Sequence, residues 1–396
     1  MSKAKPSKGG VAVATKKKVK VKGEEDKRGA SNGTVTKQKK GRKLLFPNWD
    51  KSDDDEEYLN GLKQSEFLRS KLEECYDRKV SIQEDALREY NQIFSDIINS
   101  LLPKLQRNTS RVRCLDPVYV GSSVDDLMVK PHIHYDVQVP ICVVGRVTVE
   151  HVRSGLVTMR VPPVPSGRAK EDRWAGWRSP DNFLSPILAN EMMYKFVLQW
   201  MSMRDLPNIA VDDYEPGSVI CIRIGDEISI DITPMIDLKR KEDPYPYLAK
   251  PFRYEREPKS EYYWRISCFE REKELLQTIK RADGGYRFKA LKILKALRHD
   301  DAALRHLTTY HMKTVLLHMC DGQVDNFKWQ KHKTECCFMS LLEQLREAVQ
   351  KRHLRHFVLT DVDIFENIPE NVMVAIGNRL KILCSREREL GRLLDK

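Results

Sequence analysis

The sequence predicts an α+β protein in two lobes: a mixed β-sheet core carried on a long spine helix, followed by a helical C-terminal lobe. Three observations predict it. Tyr135, Val137, Val139 and Ile141 alternate with His132, His134, Asp136 and Gln138, the period-two signature of a strand with one apolar face. From Tyr58 to about Leu105 apolar residues recur at helical spacing, among them Leu59, Leu62, Leu68, Leu72, Leu87, Ile93, Ile97 and Leu101, as one long or broken helix that Pro103 is expected to end. From Trp264 onward the pattern is almost wholly helical.

Residues 1 to about 44 are rich in Lys, Gly, Ser and Thr and nearly free of large apolar groups, so burial cannot offset the entropy of ordering them and disorder is expected. Their basic clusters, Lys16 to Lys18 and Lys37 to Lys43, suit nuclear import, a nucleic-acid-gripping arm or a solubilising tail. An acidic linker from Asp50 to Glu57 closes this first region, 1–57. The core with its spine helix is expected over 58–250, with strands at 137–144, 147–152 and 156–161. A Pro-rich loop, a helix at 183–204 and a hairpin of 219–224 with 228–232 follow. A Pro- and Tyr-bearing linker leads into the helical lobe, 251–396, and leaves a cleft beside the sheet.

Two stretches carry chemistry. Gly121-Ser122-Ser123 heads the segment that ends in His132-Ile-His134-Tyr-Asp136, and Asp231 lies on the polar side of the later Ile228-Ser-Ile-Asp-Ile-Thr-Pro234. If those strands are neighbours, Asp136 and Asp231 converge. Glycine lets backbone N–H groups approach a triphosphate, serine bonds it, and carboxylate oxygens hold Mg²⁺ at about 2.0–2.1 Å. Two such ions about 3.5–4 Å apart serve nucleotidyl transfer. The polar set His132, His134 and Asp136 also suits Mn²⁺ or Zn²⁺, or a structural histidine pair.

The net charge of +12 and pI of about 9.1 favour a polyanionic partner such as nucleic acid, nucleotide or an acidic membrane surface. Nine cysteines with no regular framework point to reduced thiols in a cytosolic or nuclear compartment. His332 with Cys336 and Cys337 lacks a fourth ligand in sequence, so helix packing is expected there rather than zinc. The N-terminus is too charged for a signal peptide, and no apolar run reaches the roughly 18 residues of a membrane span.

The ordered set Gly121-Ser122, His-Tyr-Asp-Val around Asp136, Ile-Asp-Ile-Thr-Pro around Asp231, Tyr263-Trp-Arg-Ile-Ser267 with Glu272, Leu291 to Leu297, and Tyr310-His-Met-Lys-Thr314 resembles the cyclic GMP-AMP synthase-like (male-abnormal) nucleotidyltransferases, over about 58–390. The resemblance implies a bilobed nucleotidyltransferase fold. It implies a sensor of double-stranded RNA or DNA, in innate immunity, that joins nucleoside triphosphates such as ATP and GTP into a cyclic dinucleotide and forms a ligand-induced homodimer. Sister proteins act as developmental proteins and mitochondrial-dynamics adaptors, so a catalytically degenerate nucleotide-binding or adaptor protein is the alternative. Carried over by motif, Ser122 binds phosphate beside Gly121 and Ser123, while Asp136 and Asp231 are catalytic carboxylates on Mg²⁺ or Mn²⁺. Arg265, Ser267 and Glu272 line the nucleotide cleft, Lys295 contacts phosphate, Thr309 supplies a hydroxyl and Tyr310 stacks on a base. His134 stands where active members carry a metal-binding glutamate, which weakens a two-metal site. Arg281-Ala-Asp-Gly-Gly-Tyr-Arg287 replaces the zinc thumb of the vertebrate DNA sensor with a short turn, so zinc-assisted DNA recognition is not expected.

Overall fold

The computed structural model describes residues 66–107, 113–143, 145–164, 172, 174–204, 208–215, 218–240, 244–250, 259–321 and 334–396. The basic tail, the acidic linker and His332 lie outside the described residues.

The start of the expected spine, with Leu59 and Leu62, lies outside the described residues; over 66–107 it is two helices serving two different cores. Helix α1 (66–75) buries Leu68, Leu72 and Cys75 in the helical lobe and passes into a wider turn at Tyr76–Val80. Helix α2 (Glu84–Arg107), with Glu84 and Asp85 favourably placed at its positive end, buries Ile97, Ile98, Leu101 and Leu105 against the sheet. Pro103 lies inside α2 and does not end it. The bond it forfeits would go to the carbonyl of Asn99; both residues are exposed, so water can satisfy that group, while Leu101 and Leu105 pin the last turn.

Short strands β1 (Arg113–Cys114) and β2 (Val118–Val120) pair antiparallel with the long strand β3 (Ile133–Cys142). Strands β4 (Thr148–Arg153) and β5 (Leu156–Arg160) form a hairpin. Helix α3 (Pro186–Ser202) starts where Ser185 accepts from the Leu188 N–H at 3.3 Å and Pro186 presets the first turn. Strands β6 (Ile209–Val211), β7 (Ile220–Ile224) and β8 (Ile228–Ile236) continue the sheet, and β8 lies parallel to β3 in register, residue for residue. Burial alternates over 133–137 and 228–232, with Tyr135, Val137, Ile230 and Ile232 inward; beyond them both faces are covered and the alternation is lost, so Gln138 and Thr233 are buried too.

Trp264 does not open a helix. Strands β9 (Tyr247–Leu248) and β10 (Trp264–Ile266) bridge β8 to β5 and complete the mixed sheet. Trp264 is fully buried and its indole N–H donates to the Leu184 carbonyl at 2.9 Å. Three residues are too few to display a period against the helical pattern that follows.

The helical lobe comprises α4 (Phe269–Asp283), α5 (Tyr286–Asp300), α6 (Thr309–Cys320), α7 (Thr334–Lys351), α8 (Glu370–Ser385) and α9 (Glu387–Asp395). They pack around Leu291, Leu294, Leu316, Phe338, Leu342 and Ile376. Gly284 and Gly285, with φ of +65° and +93°, make the α4–α5 turn in a conformation that costs other residues strain. Between α7 and α8 the chain is irregular over 352–369, within the stretch expected to be helical, and returns to the sheet lobe. No helix among the described residues is long and apolar enough to cross a membrane.

Candidate active site

The sheet lobe supplies one wall of a cleft of about 1040 Å³, at the upper end of ligand-cavity sizes. After β2 the chain bends through Gly121–Ser123, with Gly121 at φ +75°. A Cβ on Gly121 would sit 2.0 Å from Asp136 Oδ2, so the bend can press against that carboxylate only because the residue is glycine. The parallel register sets Asp136 opposite Asp231, and β7 sets Cys221 opposite Asp231 on its other side.

His134 joins this pair. Its Nε2 lies 3.5 Å from Asp136 Oδ1 and 3.5 Å from Asp231 Oδ2, while its Nδ1 is held 2.8 Å from Ser229 Oγ. One ligand atom from each of His134, Asp136 and Asp231 falls within 4.8 Å of the others. Burial works against the His134 imidazolium, but its bond to Asp136 and the two carboxylate charges outweigh it and raise its pKa. Burial likewise penalises the Asp136 carboxylate; the His134 bond and charge, with Lys250 and Lys295, more than compensate and hold it below the usual range. Asp231 goes the other way, pushed up by burial and by the Asp136 charge despite His134.

Ser122 faces the cleft, and behind it Lys295 donates to Ser122 Oγ at 2.8 Å and to the Leu127 carbonyl at 2.9 Å. Burial lowers the Lys295 ammonium to about 8. Its reach to a phosphate therefore runs through the serine. Ser123 turns back, its hydroxyl 3.5 Å from the Val120 carbonyl.

The facing wall is built from α4, α6 and the 352–369 segment. Lys313, deeply buried, bridges Asp125 Oδ2 at 3.2 Å and Glu272 Oε2 at 3.0 Å. Tyr310 donates its hydroxyl to Glu272 Oε1 at 2.6 Å and has His356 Nε2 2.8 Å away, which fixes the ring at the cleft surface. Burial opposes the Lys313 charge, but Glu272 and Asp125 more than restore it and raise its pKa. Arg265, on β10, lines the cleft with its guanidinium lowered to about 10 by burial.

Of the residues singled out from sequence, Gly121, Ser122, His134, Asp136, Arg265, Ser267, Glu272, Thr309 and Tyr310 line one cleft. Asp231 adjoins His134 in the carboxylate cluster, Lys295 backs Ser122, and Ser123 is set into the bend. Sequence reasoning missed Asp125, Lys250, Lys313 and His356, all of which line the cleft. Asp125 and Lys313 sit inside motifs quoted for other residues, and an acid three positions after Ser122 was the available signal. Lys250 and His356 carry no local pattern that marks them.

Residues 286–381 match the family described as the Mab-21 protein HhH/H2TH-like domain. The chain is 23% identical over 348 residues to cyclic GMP-AMP synthase-like receptor 3 of Stylophora pistillata, covering 83% of this chain and 98% of that protein. It is 26% identical over 190 residues to the cyclic GMP-AMP synthase-like receptor of Trichogramma pretiosum, which is 44% of this chain and 38% of that one. Mitochondrial dynamics protein MID49 of Xenopus laevis is 27% identical over 118 residues, 30% of this chain and 25% of its own.

Proposed function

Because the chain is a member of the cyclic GMP-AMP synthase-like, Mab-21 nucleotidyltransferase family, we propose that it binds nucleoside triphosphates in this cleft and joins two of them into a cyclic dinucleotide. The observation that carries the reading is the Asp136–Asp231 pair, set side by side on neighbouring strands, with Asp136 against a glycine-serine bend and lining a nucleotide-sized cleft. Ser122 and the bend's backbone would bind the triphosphate, with Lys295 orienting the serine. Tyr310, fixed by Glu272 and His356, offers a flat face to a base, and Arg265 offers phosphate-directed charge. A ribose hydroxyl of one nucleotide would then attack the α-phosphate of the other, releasing a proton and pyrophosphate, and a second such attack within the linear product would close the ring and release a second pyrophosphate.

The donor set fits one divalent ion: two carboxylates and an imidazole meet around a common point beside the bend. Asp136, Asp231 and His134 would hold it. Bound there, Mg²⁺ or Mn²⁺ supplies positive charge against the triphosphate, and Mn²⁺ tolerates the imidazole better. Two hard ions want more carboxylate than these three residues provide.

The test is incubation of the purified chain with all four triphosphates, Mg²⁺ or Mn²⁺, and double-stranded RNA or DNA. Product that is lost in Asp231→Ala and increased in His134→Glu supports the reading. Absence of product from both the parent and His134→Glu, under every ligand, overturns it. Double-stranded nucleic acid as the activator, with dimerisation upon it, is the finer part of the proposal and is supported by the net charge of +12. Product formation that ignores both RNA and DNA would remove that part alone.

One observation favours a second reading, a catalytically degenerate nucleotide-binding or adaptor protein. His134 already contacts both carboxylates and is anchored by Ser229, so it can hold their charge without any ion. Triphosphate binding measured by calorimetry with no dependence on divalent ion would establish it over the enzyme reading. All nine cysteines are free thiols, which supports the cytoplasm or nucleus as the working compartment.

A further inference from the structure

We propose that His134, Asp136 and Asp231 form a mixed nitrogen-oxygen site for a single divalent transition ion of the zinc class, selective against Mg²⁺. The inference deepens the preceding reading and rests on it for the place of the ion, at the cleft bend. Three features of the site carry it.

The first is spacing. Ligand atoms about 2.0–2.1 Å from a tetrahedral ion lie about 3.4 Å from one another, whereas adjacent ligands of an octahedral ion at that range lie about 2.9 Å apart. The two distances from His134 Nε2, each 3.5 Å, match the tetrahedral edge. The second is orientation. Ser229 Oγ holds His134 Nδ1 at 2.8 Å, which leaves Nε2 directed at the two carboxylates, the arrangement that outer partners impose on metal-binding histidines. Asp231 has an outer partner of its own in the Cys221 thiol on the neighbouring strand. The third is the donor type. An imidazole suits zinc-class ions, while Mg²⁺ demands six oxygens in octahedral array. With three protein ligands, the fourth position of a tetrahedral ion opens on the cleft, where a water or a triphosphate oxygen can enter.

The full chain, without nucleotide, is titrated with Zn²⁺, Co²⁺, Mn²⁺ and Mg²⁺ by calorimetry, and the visible spectrum of the Co²⁺ form is recorded. One site is expected at which Zn²⁺ and Co²⁺ bind at least about 100-fold more tightly than Mg²⁺, with Mn²⁺ between them. Its Co²⁺ form should show the intense visible band of four-coordination. Ser229→Ala, which leaves all three ligands in place, is expected to weaken Zn²⁺ by about 10-fold. His134→Glu should lose the four-coordinate band and gain at least about 10-fold in Mg²⁺ affinity. Equal affinity for Mg²⁺ and Zn²⁺, or Zn²⁺ binding of the same strength and stoichiometry in His134→Ala and Ser229→Ala, overturns the proposal. No turnover is needed, so a failed titration is distinct from a failed search for cyclic product.

Discussion

The two walls of the cleft use charge in opposite ways. On the sheet side, Asp136 and Asp231 are forced together by strand register, one carboxylate held low and the other raised, and a partly exposed histidine lies between them. On the helical side, Lys313, Glu272 and Tyr310 form a buried, paired network, and Lys313 reaches across to Asp125 in the turn that follows the Gly121 bend. The first wall keeps unspent attraction for a cation; the second commits its lysine to two buried carboxylates and holds shape, although Asp125 Oδ1 is left buried without a hydrogen-bond partner. The metal-directed carboxylates and the shape-holding ion pairs are thereby carried by different groups around one cleft.

Lys313→Ala should show the largest effect, because it leaves Asp125 and Glu272 buried without their cation. A loss of about 3–5 kcal/mol in denaturant unfolding is expected. Asp231→Asn is expected to do the reverse: stability held within about 1 kcal/mol, since a repulsive neighbour is removed, and cyclic product reduced by about 100-fold or more, which corresponds to about 2.7 kcal/mol of barrier. Equal destabilisation by both variants would dissolve the contrast between the walls. Tyr310→Phe removes the 2.6 Å bond to a buried carboxylate and should cost about 2 kcal/mol of stability, seen as a lower denaturant midpoint.

The smallest effect is a pH dependence at the seam between the walls. Lys295 titrates near 8 when folded against 10.5 in its free form. Between those values the unfolded chain holds more protons, so this residue's contribution to stability rises with pH, while its hold on a Ser122-bound anion weakens. Triphosphate affinity should fall by less than 10-fold as pH passes through 8, and Lys295→Met should flatten that step. A step that persists in Lys295→Met would assign it to another group.

Much of the sheet wall was legible because its information is local. The alternation around Tyr135 and Ile230 needs only neighbouring residues, and burial follows it in the first half of each strand, up to Val137 and Ile232, where other elements then cover both faces. Pro103 misled because a proline near the exposed end of a helix costs little when packing of Leu101 and Leu105 holds the turn. β10 hid in a helical neighbourhood, since three residues show no period. Lys313 stood within a quoted motif, yet its partners Asp125 and Glu272 lie far away in sequence, and nothing local announces an ion network closed over such distances.

The sequence by itself determined the two-lobed α+β plan, a glycine whose backbone freedom suits a close approach at the bend, and the residue types His134, Asp136 and Asp231, because backbone freedom, side-chain period and ligand chemistry belong to residues taken one or a few at a time. The tertiary structure alone decided that β3 and β8 run parallel with Asp136 facing Asp231, that His134 lies equidistant from both, and that Lys295 serves Ser122 from behind. Those facts depend on which distant segments pair and in what register, a choice made by burying whole faces together.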